Sequence, residues 1–190
     1  MLDATAALLE QHGVLELKVV EIARKVGTSP ATFYQYFRDV DEAVLALAED
    51  AGDDIAAVAR VVRGEWRGEA GLATARALVD GFLSYWDKNR AVLRSRNLAA
   101  QEGDERFREV RVRTLSEITD PLTERIAQFQ REGWLVPTIT PYAAAGAMVA
   151  MLERMGGFQF EFEARGVSRA AMVETLTVIL HQVVTGSATG

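Results

Sequence analysis

Cysteine is absent from this chain of 190 residues. Its absence excludes disulfides, thiol catalysis and cysteine metal sites, and it fits a reducing compartment. Histidine is nearly as scarce: His12 and His181 are the two present, far apart in the chain. Neither begins a spacing such as HExxH that could seat a metal, and no glycine loop is arranged to cradle phosphate. Acidic pairs such as Glu49-Asp50 and Asp53-Asp54 read as a solvated helix face. No catalytic residue, metal or cofactor is therefore expected. Long apolar runs are lacking too. The nearest, Tyr142–Leu152, falls short of the ~20 residues a membrane span needs and reads as a buried helix. No basic segment followed by an apolar one marks a secretory signal, so a soluble, cytoplasmic protein with no membrane partner is expected.

Positive charge is also in short supply. Lys and Arg number 21 against 27 Asp and Glu, a net charge of −6. Such a balance opposes general attraction to phosphate, so a nucleic-acid contact would have to come from a local surface. The first 47 residues hold Lys18, Arg24, Lys25 and Arg38 against Asp3, Glu10, Glu16, Glu21, Asp39, Asp41 and Glu42. Charge alone does not point to DNA.

What the chain does have is helix. Apolar residues make up 49% of it, enough for a real core in one or two small domains. The four prolines are Pro30, Pro121, Pro137 and Pro141, and the segments between breakers are rich in Ala, Leu, Glu and Arg. Leu2, Ala6 and Leu9 share one face of a first helix ending near Gly13. Val19, Ile22, Ala23 and Val26 mark a short second helix closed by Gly27. A third starts at Ser29-Pro30 and carries Phe33 and Phe37 one turn apart. Asp39 or Asp41 can cap a fourth, running to about Arg63. Past a glycine-rich break at 63–68, further helices are expected over Leu72–Lys88, Ala91–Gln101 and Asp104–Gly133, the last bent by Pro121. Thr140 is expected to cap a helix with Pro141 in its first turn, and Ser168 to open a last one. Phe158–Glu163 alternates with period two, as a strand would. A lone strand among helices has no partner, so helix is preferred. The tail from Gly186 to Gly190 is expected to fray.

The unit from Val19 to Phe37 carries the function. Ala23 is small where two helices cross closely, and Gly27 can take the positive φ of the turn. Ser29 can accept free amides of the next helix, whose first turn suits Pro30. Phe33 and Phe37 pin that helix down, leaving Ala31, Thr32, Tyr34, Gln35 and Tyr36 mostly outward. This is a helix-turn-helix with its outer side free for the major groove.

At these residues the chain resembles the TetR (tetracycline-repressor-like) family of bacterial regulators. The resemblance covers Leu2 to about Leu47: Gly13 after helix 1, Ile22-Ala23 in helix 2, and Thr28-Ser29, Thr32-Phe33-Tyr34 and Tyr36-Phe37 through helix 3. It implies an all-α fold, with a three-helix DNA-binding domain over 1–47 and a larger antiparallel helical ligand-binding and dimerisation domain over 48–190. It also implies a homodimer on palindromic, double-stranded operator DNA, acting as a repressor released by a small molecule. Carried over by residue, Thr32, Gln35 and Tyr36 are candidate groove contacts, and Gln35 can read adenine. Tyr34 and Lys18 are candidate phosphate contacts, and Ser29 belongs to the same surface. Tyr36 can instead be packed, and Arg24 and Lys25 can merely solvate helix 2.

Three departures from the family stand out. Lys18 replaces the usual Ser or Thr cap of helix 2. Val40 stands where a phosphate-binding Lys is usual. Members normally carry a basic extension before helix 1, whereas this sequence starts inside that helix; either the sequence is truncated at its N-terminus or weak DNA affinity is expected.

For the second domain the resemblance implies pairing of two helices, about 140–163 and 168–185, with their copies in a four-helix bundle. Ala143 and Ala147 permit close approach, and Val173, Leu176, Leu180 and Val184 suit an apolar face, unless they are buried in one subunit. Candidates for the ligand pocket are Phe82, Tyr85, Trp86, Asn97, Phe107, Arg111, Thr114, Ile118, Met148 and Met151, with ordinary core as the other reading. Such a lining suits a hydrophobic ligand. Arg94 or Arg111, if turned inward, would receive an anionic group. The competing functional reading is a helical small-molecule-binding dimer with little DNA affinity.

Overall fold

A computed structural model describes residues 1–186. Among these residues the chain is helical and contains no strand. It forms two compact units. The first comprises Met1–Asp53 and Asn89–Arg113; the second comprises Asp54–Lys88 and the chain from Thr114 onward. This differs from a single division near residue 47. The reason is apolar: Val92, Phe107 and Val110 are buried in one core with Leu8, Leu9, Ile22, Phe33 and Val44.

In the first unit, α1 (Leu2–His12) ends where Gly13 turns to φ 75° and its amide bonds to the Leu9 carbonyl. A 3₁₀ turn, Val14–Glu16, leads to α2 (Val19–Lys25). Gly27 adopts φ 70°, and the Thr28 amide returns to the Ala23 carbonyl at 2.9 Å. The short helix α3 covers Pro30–Phe33. Its helical hydrogen bonding tightens afterwards to the 3₁₀ type, Gln35 to Thr32 and Tyr36 to Phe33, so the regular helix is shorter than periodicity suggests. The run Phe33-Tyr34…Tyr36-Phe37 loses side-chain freedom in a helix. The next N-terminus then begins almost at once: Asp39 Oδ1 accepts the Glu42 amide at 2.8 Å, and the Glu42 carboxylate accepts the Arg38 amide. Helix α4 follows over Val40–Ala59. Of the two acids able to cap it, Asp39 does so.

The second unit continues through a 3₁₀ turn, Arg60–Arg63, into α5 (Gly68–Gln101), whose residues from Asn89 on belong to the first unit. The helices expected over 72–88 and 91–101 are one element broken at Asn89, whose φ −116° and ψ 17° are not helical. Helix α6 (Glu105–Arg131) contains Pro121. Then come α7 (Pro141–Gly157), α8 (Gln159–Glu163) and α9 (Arg169–Thr185). The alternating Phe158–Glu163 segment is thus helical. Ser168 caps α9 through the Ala171 amide at 3.1 Å. Thr140 occupies the cap position of α7 but makes no side-chain bond there, which corrects the expected cap. The tail from Ser187 lies outside the described residues.

Two glycines mark close approaches in this unit. A Cβ on Gly71 would lie 1.9 Å from the Trp66 carbonyl oxygen, and one on Gly156 would lie 2.6 Å from Trp86 Cγ. Trp66 is fully buried; its indole donates to the Val62 carbonyl at 2.7 Å, and its own carbonyl lies 3.1 Å from His181 Nε2. Among the described residues no helix is long and apolar enough to cross a membrane.

Candidate functional site

The helix-turn-helix is built by burying one side of each short helix. Ile22, Ala23 and Phe33 have no exposure, and the Phe33 ring packs against Phe37 at a centroid distance of 5.5 Å. With those side chains fixed inward, the other side of the turn faces water. Tyr34 is 59% and Tyr36 70% exposed, which rules out packing for Tyr36. Gln35 and Lys18 are exposed as well. Lys18 occupies the cap position of α2 without capping it, as its chemistry requires, since an ammonium cannot accept an amide.

Ser29 and Thr32 are coupled. The Thr32 amide donates to Ser29 Oγ at 3.3 Å, and the two hydroxyls lie 3.1 Å apart. Ser29 therefore acts first as the cap of α3. Either hydroxyl can be the donor in that contact, and Thr32 Oγ1 retains capacity for a further hydrogen bond. The six named residues nonetheless fall on one short segment with its cap, except Lys18, which stands at the start of α2.

Electrostatics around this surface are mixed. At the start of α4 the Asp39 and Glu42 carboxylates accept the Glu42 and Arg38 amides, so negative charge already stands at that N-terminus. A loop between α5 and α6 also belongs to this unit. There Arg106 grips Asp104 with two bonds, Nε to Oδ1 at 3.1 Å and Nη2 to Oδ2 at 2.6 Å. These bonds hold the Asp104 carboxyl below its ordinary value of 3.8. Arg106 is raised in turn, first by Asp104 and further by the charges of Asp39 and Asp41.

The residues expected to line a ligand pocket are divided between the two units. Asn97, Phe107 and Arg111 belong to the first unit, where Phe107 is part of the apolar core. Phe82, Tyr85, Trp86, Thr114 and Ile118 are buried in the second unit, with Met148 and Met151 half-buried. Phe82 and Tyr85 make an edge-to-face pair at 5.9 Å. Arg94 is exposed and Arg111 half-buried, whereas Arg96 is fully buried, its Nε and Nη2 donating to Asn97 Oδ1 at 3.1 and 3.0 Å. Sequence reasoning passed over Arg96, although it shares a helical face with Val92 and Leu93, three and four residues away.

Of the residues expected at the dimer face, Val173, Leu176, Leu180 and Val184 are buried within the single chain. Ala143 and Ala147 are exposed on α7, as is Ala150, and α7 packs against α9. The side of α9 left open carries Ala171, Thr175 and Ile179.

Comparison with known proteins agrees with this architecture. Residues 1–47 match the model for bacterial regulatory proteins of the tetR family, and residues 58–189 match a tetracyclin repressor-like C-terminal domain. An uncharacterized HTH-type transcriptional regulator of Haemophilus influenzae is 29% identical over 111 residues, 58% of this chain. The match spans about half, 53%, of that relative's length. Among solved structures, the fatty acid degradation regulator FadR of Bacillus halodurans aligns with a TM-score of 0.69 at 15% identity, covering 99% of this chain and 94% of that one. The TetR-family regulator PfmR of Thermus thermophilus aligns at 0.67 and 16% identity, covering 100% and 98%. SmeT, the repressor of the Stenotrophomonas maltophilia efflux pump SmeDEF, aligns at 0.63 and 16%, covering 96% and 85%. At such identities these structures share the fold.

Proposed function

The chain belongs to the tetracycline-repressor-like family of bacterial transcriptional regulators, and on that premise we propose that it is a repressor binding operator DNA as a homodimer and released by a small hydrophobic ligand. One observation carries the reading: a capped α3 held by the buried Phe33, with Tyr34, Gln35 and Tyr36 free on its outer side. Gln35, with Thr32 and Tyr36, reads base edges. Lys18 and Tyr34 bind phosphate and set register, and Ser29 holds the surface in shape. In a two-fold dimer the operator is a palindrome with half-sites about one helical turn apart.

The dimer forms through the exposed side of α7 and α9, with Ala143, Ala147 and Ala150 meeting Thr175 and Ile179 of the partner. The small side chains allow two helices to approach closely. The ligand is received inside the second unit among Phe82, Tyr85, Trp86, Ile118, Met148 and Met151. It acts by population shift: ligand prefers a state whose recognition helices no longer match groove spacing, and DNA prefers the other. Linkage then requires DNA to weaken ligand binding by the same factor.

The competing reading, a small-molecule-binding dimer with little DNA affinity, draws on the carboxylate caps of α4 and the acidic balance of the head. Footprinting on the DNA upstream of the protein's own gene separates the two. Two protected half-sites related by a dyad support the operator reading. Uniform accessibility at protein concentrations that saturate ordinary repressor sites overturns it.

A further inference from the structure

Helix α6 begins inside the first unit, and its first turns lie along α4. The Arg113 guanidinium meets the Glu49 carboxylate of α4 at 3.3 Å. Next to that pair, Phe107 and Val110 of α6 share one buried core with Ala43, Val44 and Ala48 of α4. Two helical turns span about seven residues and rise roughly 10 Å. Two turns back from Arg113 stands Arg106; two turns back from Glu49 stands Glu42, at the start of α4 beside Asp39 and Asp41. The two helices therefore run side by side in the same direction here, with their first turns adjacent. The charges agree with that register, since Asp39 and Asp41 both act on Arg106.

Arg106 is held in place. Its Nε and Nη2 donate to Asp104, and Asp104 Oδ1 accepts the Arg106 amide at 3.0 Å at the start of α6. Nearby cations are committed to other carboxylates: Arg108 to Glu105, Arg113 to Glu49, and Arg38 to Glu42. The segment Arg38–Glu42 holds Asp39, Asp41 and Glu42 against Arg38 alone, and it follows the exposed turn Tyr34–Tyr36 directly. Carboxylates at that position repel phosphate over about a Debye length, ~10 Å at 0.1 M salt.

We infer that Arg106, a residue of α6 outside the helix-turn-helix, is a positioning residue of the operator-binding surface: α6 sets it against the acidic start of α4, where it offsets the negative potential beside the reading turn. The inference rests on the operator reading above. It adds a residue more than sixty positions from the reading turn in sequence, brought there by the shared core.

Breaking the Arg106–Asp104 pair from either side tests it. Arg106→Gln and Asp104→Asn both break the ion pair, so a purely structural role moves both in one direction. On charge they differ in sign: the first leaves Asp104 uncompensated, and the second releases Arg106. Fluorescence anisotropy with labelled DNA from upstream of the protein's own gene, at 50 mM salt, is the measurement. Arg106→Gln should bind about threefold more weakly than the parent, and Asp104→Asn about as much more tightly. Arg106→Lys should stay near the parent, and Arg106→Gln combined with Asp39→Asn should return toward it. The differences should shrink at 200 mM salt. If Arg106→Gln does not fold, Asp104→Asn decides, because tighter binding cannot come from lost structure. With the parent bound, weakening by both single variants, or a change in neither, overturns the inference alone. A parent without salt-sensitive binding overturns the operator reading and the inference with it.

Discussion

Gln35 and Tyr34 are neighbours on one exposed turn, and on the proposed function they separate reading from holding. An amide side chain can make two bonds to one adenine edge, worth about 1–3 kcal/mol of discrimination. A phenol on phosphate adds affinity without regard to sequence. Gln35→Ala should therefore flatten the base preference at one position of each half-site, while Tyr34→Phe should weaken every sequence by a similar factor. Binding to a panel of single-base operator variants measures both. Identical profiles for the two variants would show that the contacts are sorted wrongly. Asp104 makes a separate prediction at this scale. Arg106 depresses its carboxyl, so its contribution is present above the ordinary value of 3.8 and is lost as pH falls through the lowered one. Asp104→Asn should lose stability near neutral pH and converge on the parent as pH falls below the lowered value. Urea unfolding across pH 2.5–7 checks this, and a constant difference at every pH would contradict it.

Elements are where the sequence was most legible, and where its limits are clearest. The cap at Ser29, the positive φ at Gly27 and the buried stripe Ile22, Ala23, Phe33 are local properties, and each appears as expected. A stripe does not say which body covers it. Val173, Leu176, Leu180 and Val184 look the same in sequence whether they meet a partner or their own chain, and the structure buries them in their own chain. The same holds for Phe107, drawn into the first unit's core. On the proposed function the carboxylate cap of α4 should have a cost for DNA binding, because Asp39 places negative charge a few residues from the proposed reading turn. Asp39→Asn keeps an acceptor for the Glu42 amide and removes that charge. Its unfolding midpoint should stay near the parent's, while operator affinity at low salt rises about threefold. An unchanged affinity would mean that this helix end does not approach phosphate.

On the proposed function operator binding depends on the dimer, because one short reading turn with few positive charges offers little affinity alone. If the interface is the exposed side of α7, Ala147→Arg should convert the dimer to monomer, visible by sedimentation, with little change in helical content. It should also reduce operator binding by roughly a hundredfold or more, the loss expected when two linked half-sites become independent. A dimer that survives this change would place the interface elsewhere.

Salt dependence tests the central claim most directly. Fluorescence anisotropy of the protein with labelled DNA from upstream of its own gene, repeated from 50 to 200 mM salt, reports both affinity and the number of phosphates engaged. A regulator using Lys18, Tyr34 and their partner copies should lose at least roughly tenfold in affinity over that range, with a linear log–log slope. It should also prefer the upstream fragment over scrambled DNA of the same length. No salt-sensitive binding to either fragment would contradict the account.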